Sequence, residues 1–128
     1  VNFMPHCAEL LRVLHGRVKV FILTNGDTYA QERRIEKSGF APYFDGVFIS
    51  EQLGCKKPEK AFYDKVFSLI GEEYRGCTLM VGDSLSSDMQ GGRNAGIPTC
   101  FYGKREKADA RCDYVIEDLL ELPPLLGI

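Results

Sequence analysis

Short β-branched runs alternate with helix-patterned stretches along almost the whole chain, and this constrains the fold more than any other feature. Val18-Lys19-Val20-Phe21-Ile22-Leu23, Gly46-Val47-Phe48-Ile49-Ser50, Thr78-Leu79-Met80-Val81 and Pro98 to Tyr102 read as strands, with Tyr114-Val115-Ile116 as a fifth. Between them lie helical patterns. Cys7 to Leu14 is stopped by Gly16. A helix capped by Asp27 or Thr28 runs to about Ser38 and ends at Gly39. Another opens at Pro58, with Phe62, Val66, Leu69 and Ile70 on one face. Asp88 to Ala95 and Asp118 to Leu122 complete the set. Alternation of this kind predicts parallel pairing through right-handed crossovers. Nearly continuous apolar strands fit a sheet covered on both faces. The expected architecture is a Rossmann-like three-layer α/β/α core with a mostly parallel sheet.

In such sheets ligands bind beyond the carboxyl ends of the strands. The residues there are Thr24-Asn25-Gly26, Ser50-Glu51 and Gly82-Asp83. Thr24 offers a hydroxyl, and the Asn25 region offers backbone N–H groups, both suited to an anionic oxygen. An Asn-Gly turn between strand and helix accounts for the same residues. Lys57 precedes Pro58, which pushes it out of the helical region. An ammonium fixed there can neutralise a phosphate or a nearby carboxylate, whereas a solvated surface lysine is the plainer alternative. Asp83 sits at the tip of a buried strand and Asp88 opens the next helix. Hard cations such as Mg²⁺ take oxygen ligands of this kind. For Asp88, helix capping explains the residue equally well. Gly91-Gly92 within a helix costs about 1 kcal/mol each against Ala, which suggests close helix–strand packing.

The 128 residues suit one domain with its own core. The net charge of -2 leaves no basic field for a nucleic-acid polymer. No apolar run approaches the roughly 20 residues of a membrane span, and no signal peptide is visible. Five cysteines, an odd number without a Cys-x-x-Cys, read as reduced thiols in a cytoplasmic protein rather than as disulfides or zinc ligands.

Taken in order, these pieces resemble the haloacid dehalogenase superfamily of phosphatases. FILTNG resembles its second motif, GCKKPEKAFY its third and LMVGDSLSSDMQGGRNAGIPT its fourth. The wording is closest to the branch acting on nucleoside 5′-monophosphates, including pyrimidine ones. The resemblance implies a small phosphorylated substrate, Thr24, Asn25 and Lys57 as phosphate-binding groups, with Thr24 and Lys57 catalytic, and Asp83 and Asp88 as the acidic pair serving Mg²⁺. It covers nearly the whole chain, with one departure. The family's first motif, an Asp-x-Asp whose first Asp is the nucleophile, occurs nowhere here, and the helical cap is missing too. Val1-Asn2-Phe3 is not a natural start. Residues 1–128 are therefore expected to be the carboxyl-terminal portion of a core domain, incomplete at its amino-terminal part and inactive alone. A dehalogenase of the same superfamily, needing no Mg²⁺, and a non-catalytic phosphate- or metal-binding fragment are the alternatives.

The family's strand order, 3-2-1-4-5 counted from the first-motif strand, makes Val18–Leu23 strand 2 and Thr78–Val81 strand 4. The strand between them is the one this chain lacks. Their facing N–H and C=O groups need partners. Direct pairing of the two, or a strand from a second chain or a severed amino-terminal segment, would provide them, and a partly folded chain is the remaining outcome.

Overall fold

The computed structural model describes residues 4–128, so Val1-Asn2-Phe3, read above as an unnatural start, lie outside the described residues. The chain divides into two compact units. One runs to Gln52 and takes in Asp118–Ile128, and the other spans Leu53–Glu117.

The first unit holds α1 (Cys7–Leu14), β1 (Phe21–Thr24), α2 (Thr28–Ser38), β2 (Gly46–Ile49) and all but the last residue of α3 (Ser50–Leu53), and its carboxyl-terminal segment adds α6 (Leu122–Leu125). β1 and β2 are parallel, with Phe21 opposite Gly46 and Thr24 opposite Ile49. The first strand starts three residues later than its β-branched sequence suggests. The Val18 N–H is taken by the Leu14 carbonyl behind α1, and the Val20 N–H by the Asp45 carboxylate, so neither joins the ladder. α1 buries Leu10, Leu11 and Leu14, and α2 buries Gln31 and Ile35. Asp27 caps α2 by accepting the Ala30 N–H at 2.8 Å, and Gly39 closes it in the left-handed conformation, φ 76°. The last helical segment runs past the expected Leu122. Asp118 caps a 3₁₀ turn, Leu119–Glu121, which leads directly into α6 with Pro123 and Pro124 in its first turn. His6, before α1, bonds the Asp118 carboxylate at 2.8 Å and so ties the two ends of this unit together.

The second unit holds α4 (Lys60–Ile70), β3 (Met80–Gly82), α5 (Gln90–Ala95), β4 (Thr99–Tyr102) and β5 (Tyr114–Ile116). Its three strands are parallel in the order β3-β4-β5, with Met80 opposite Thr99 and Cys100 opposite Tyr114. The parallel α/β arrangement expected from the alternating pattern is therefore present. Direct pairing of the first and third strands is not: among the described residues β1 pairs with β2 alone and β3 with β4 alone.

Three local expectations change. α4 begins at Lys60, not at Pro58. Residues 56–59 form a turn instead, in which the Glu59 N–H reaches the Lys56 carbonyl at 2.8 Å, with a cis Lys57–Pro58 bond. That is the turn class with cis proline at its third position. The buried face of α4 is Phe62, Tyr63, Val66 and Phe67, while Leu69 is 65% exposed. At 3.6 residues per turn Leu69 falls roughly 90° from the centre of that arc. The rings of Phe62, Tyr63 and Phe67 set the face, with the Arg75 guanidinium 4.5 Å over the Phe67 ring. Finally, the helix expected at Asp88 begins with a wide π-type turn, Leu85–Met89, followed by α5. The Met89 N–H reaches back five residues to the Ser84 carbonyl at 3.0 Å.

The close packing read into Gly91-Gly92 is borne out. A Cβ on Gly91 would overlap the Tyr63 hydroxyl, and one on Gly92 would lie 2.5 Å from Thr99 Cγ2. None of the five cysteines is in a disulfide. Among the described residues no helix is long and apolar enough to cross a membrane.

Candidate functional site

Each unit places predicted residues at a carboxyl strand end. In the first, Thr24 is the last residue of β1 and is buried, and its hydroxyl donates to the Asn25 carbonyl at 3.3 Å. Asn25 and Gly26 are exposed beyond it. The turn is held chiefly from the start of α3, just past β2. The Gly26 N–H donates to Ser50 Oγ at 2.9 Å, and the same hydroxyl donates to the Gly26 carbonyl at 3.3 Å. Glu51 accepts the Thr28 N–H at 3.0 Å, and the Gln31 amide reaches the Asn25 carbonyl at 3.4 Å. Gly26 has φ 143°, and a Cβ there would come 2.5 Å from Gln31 Nε2, so this position needs glycine. The result is a hydroxyl at a strand end beside a turn whose backbone is held by three side chains, Ser50, Glu51 and Gln31.

In the second unit the structure brings together two of the predicted residues. Lys57 Nζ lies 2.6 Å from Asp88 Oδ1, and the two side chains are only 11% and 8% exposed. The other Asp88 oxygen accepts the Ser84 N–H at 3.2 Å. Asp88 is therefore not the helix cap. That role falls to Ser84, whose Oγ accepts the Ser87 N–H at 3.1 Å. The carboxylate instead folds back over the end of β3, against Gly82. A Cβ on Gly82 would overlap the Asp88 carboxylate and lie 2.5 Å from Asp88 Cβ. Behind the turn, the fully buried Tyr63 donates to the Ser87 carbonyl at 3.4 Å. Burial first, and the Asp88 charge second, push the Tyr63 phenol well above its ordinary range, so it acts as a neutral donor.

Asp83 behaves differently. Its carboxylate is exposed and has no hydrogen-bond or ion-pair partner among the described residues. It therefore stays solvated, which suits one oxygen donor to a hard cation. No group of three or more His, Cys, Asp or Glu side chains gathers to hold a metal among the described residues. What this chain offers Mg²⁺ is one open carboxylate, Asp83, beside one already bonded to Lys57. That fits an ion which keeps several waters and takes one or two carboxylates, but it is not a closed cage.

Sequence reasoning singled out Thr24, Asn25, Lys57, Asp83 and Asp88 and gave no supporting role to Ser50, Gly82 or Tyr63. Ser50 stood at a strand end without a motif around it. Gly82 looked like part of a turn. Tyr63 was hidden in an amphipathic pattern that explains any large apolar side chain.

Comparison with known proteins gives three kinds of match. The family model described as haloacid dehalogenase-like hydrolase matches residues 2–96. The chain is 37% identical over 126 residues to the pyrimidine 5′-nucleotidase YjjG of Escherichia coli, covering 96% of this chain and 56% of the relative. It is 49% identical over 83 residues to the pyrimidine 5′-nucleotidase PynA of Streptococcus pneumoniae, covering 65% of this chain and 35% of the relative. Its fold matches the magnesium-bound crystal structure of the HAD-hydrolase YfnB of Bacillus subtilis with a TM-score of 0.91 and 34% identity, over 98% of this chain and 56% of that one. The chain spans about half the length, or less, of these proteins.

Proposed function

The chain belongs to the haloacid dehalogenase-like hydrolases, and from that premise we propose that it forms the carboxyl-terminal part of the core of a Mg²⁺-dependent phosphomonoester hydrolase. The proposed substrates are nucleoside 5′-monophosphates or similar small phosphates. The observation that carries this reading is the buried Lys57–Asp88 pair at 2.6 Å, with the exposed Asp83 following the strand end that Asp88 covers. The two nucleotidase relatives support the substrate class.

An Asp outside these 128 residues is the nucleophile in this reading. It attacks phosphorus and expels the alcohol, and water then hydrolyses the aspartyl phosphate to free phosphate. The strand that carries it would come from another segment or from a second chain. In the first unit, the Thr24 hydroxyl and the Asn25 backbone hold phosphoryl oxygens. In the second, the Lys57 ammonium supplies positive charge, and Asp88 fixes where that charge stands. Bound Mg²⁺ would neutralise the oxygens further, with Asp83 as its ligand from this chain. The five free thiols support a reducing, cytoplasmic setting.

Dehalogenation is the alternative chemistry for this fold. The test is the intact enzyme assayed on phosphate esters and on 2-haloacids, with and without Mg²⁺. Phosphate release that needs Mg²⁺ and falls at least 100-fold in Asp83→Asn is expected, on the order of the few kcal/mol that one ligand to transition-state charge supplies. Metal-independent halide release, or normal rates in Asp83→Asn, would refute it.

A further inference from the structure

The loop that carries Lys57 is held at a second point, by a residue to which the phosphatase reading gives no role. Asn94, on α5, donates its side-chain amide to the Pro58 carbonyl at 2.9 Å. The Asn94 side-chain carbonyl in turn accepts from the Gln90 amide, also at 2.9 Å. An amide has one accepting and one donating end. Engaging the accepting end with Gln90 turns the donating end to Pro58.

Asp88 and Asn94 belong to one continuous helical stretch, the turn Leu85–Met89 and α5. That stretch therefore grips the Lys57 loop twice. Asp88 takes the Lys57 ammonium, and Asn94 takes the backbone carbonyl one residue further on. The turn's internal bond, from the Lys56 N–H to Glu59 Oε1 at 2.8 Å, closes the loop, and the Glu59 carbonyl accepts the Phe62 N–H of α4 at 3.0 Å, so the far end of the turn is anchored while the two grips from α5's side act on Lys57 and Pro58. A contact at the tip of a long flexible side chain fixes the backbone beneath it less closely than a contact on the backbone itself. The Asn94 attachment at the adjacent carbonyl acts on the main chain directly.

We infer that Asn94 is a positioning residue for Lys57, holding the main chain so that the ammonium is presented at one fixed place. Its bearing on phosphate rests on the proposed role of Lys57, but its effect on the Lys57–Asp88 geometry does not.

The experiment has two readouts. In the 128-residue chain, ¹⁵N-edited NMR follows the Lys57 side-chain ammonium, assigned by its absence in Lys57→Met. A buried paired ammonium gives a sharp signal. Asn94→Ala and Asn94→Asp, which both lack the donor, are expected to broaden or abolish it. In the intact enzyme, the inhibition constant of inorganic phosphate is expected to rise about five-fold in both variants, as loss of one aligned hydrogen bond implies. An unchanged ammonium signal overturns the inference, and so does unchanged phosphate affinity with the signal lost. If Lys57→Met itself leaves phosphate affinity intact, the functional reading fails instead, and the ammonium signal still judges Asn94. Should either Asn94 variant melt early, Gln90→Ala, which only unaligns the amide, must reproduce the broadening or the inference falls.

Discussion

Replacing Gly92 with Ala sets two effects against each other, and the structure decides between them. In an exposed helix the change stabilises by about 1 kcal/mol. Here the new methyl would lie 2.5 Å from Thr99 Cγ2, whereas carbon atoms settle at about 3.5–4.0 Å. Thr99 cannot simply turn away. It is fully buried, its hydroxyl donates to the Arg111 carbonyl at 2.6 Å, and it accepts the Asp113 N–H at 3.0 Å. Overpacking of this kind costs about 1–3 kcal/mol, and disturbing the hydroxyl bonds adds about 1 kcal/mol. Net destabilisation by about 1–3 kcal/mol is expected in urea denaturation. Thr99→Ser removes the offending methyl and keeps the hydroxyl. The next neighbours of the new methyl are then Met80 Cβ at 3.4 Å and the Ile97 carbonyl at 3.6 Å, close to ordinary contact. In the Thr99→Ser background Gly92→Ala should thus be neutral or stabilising, with a coupling of more than about 1 kcal/mol between the two changes. A stabilising Gly92→Ala single variant, or strict additivity, would refute the packing argument.

Further outcomes follow from the same geometry. Lys57→Met leaves the Asp88 carboxylate buried without its counter-charge, so a loss on the order of 3 kcal/mol is expected in denaturation, partly recovered by adding Asp88→Asn. The Asp118 hydrogen bond, then its charge, raises the His6 pKa above the ordinary value of about 6.5. The pair's contribution is therefore fully present below that ordinary value and is lost as pH rises through the raised one. NMR titration should find His6 titrating high, and Asp118→Asn should lower it. The chain alone should release no phosphate from a good ester even with Mg²⁺, and steady turnover abolished by Asp83→Ala would contradict this.

What was legible in the sequence is what residue type and spacing dictate. The parallel α/β class followed from alternation, and the helix ends at Asp27 and Gly39 from capping chemistry. Lys57 was visible because proline restricts the residue before it, and a nearby carboxylate was one of its two expected targets. The illegible parts depend on which of several available partners each group takes. Val18 and Val20 look like strand residues, but Leu14 and Asp45 take their N–H groups. Leu69 lost its place in the core because Tyr63 and Phe67 turn the helix face. The Asp88 side chain points back to β3 because Ser84 takes the cap, a choice that two neighbouring cap-forming residue types leave open.

The contact between Gly82 and Asp88 has a consequence for how this stretch can drift. The carboxylate occupies the volume that any side chain at 82 would need, so the two positions share one space and cannot be altered independently. The residues between them, 83–87, form a loop of fixed length, because the wide turn that returns Asp88 to the strand end closes on Ser84. An insertion or deletion there would swing the carboxylate off the strand whatever residues were used. Changes of letter are therefore tolerable at exposed Ser86, while changes of length between 82 and 88 are not.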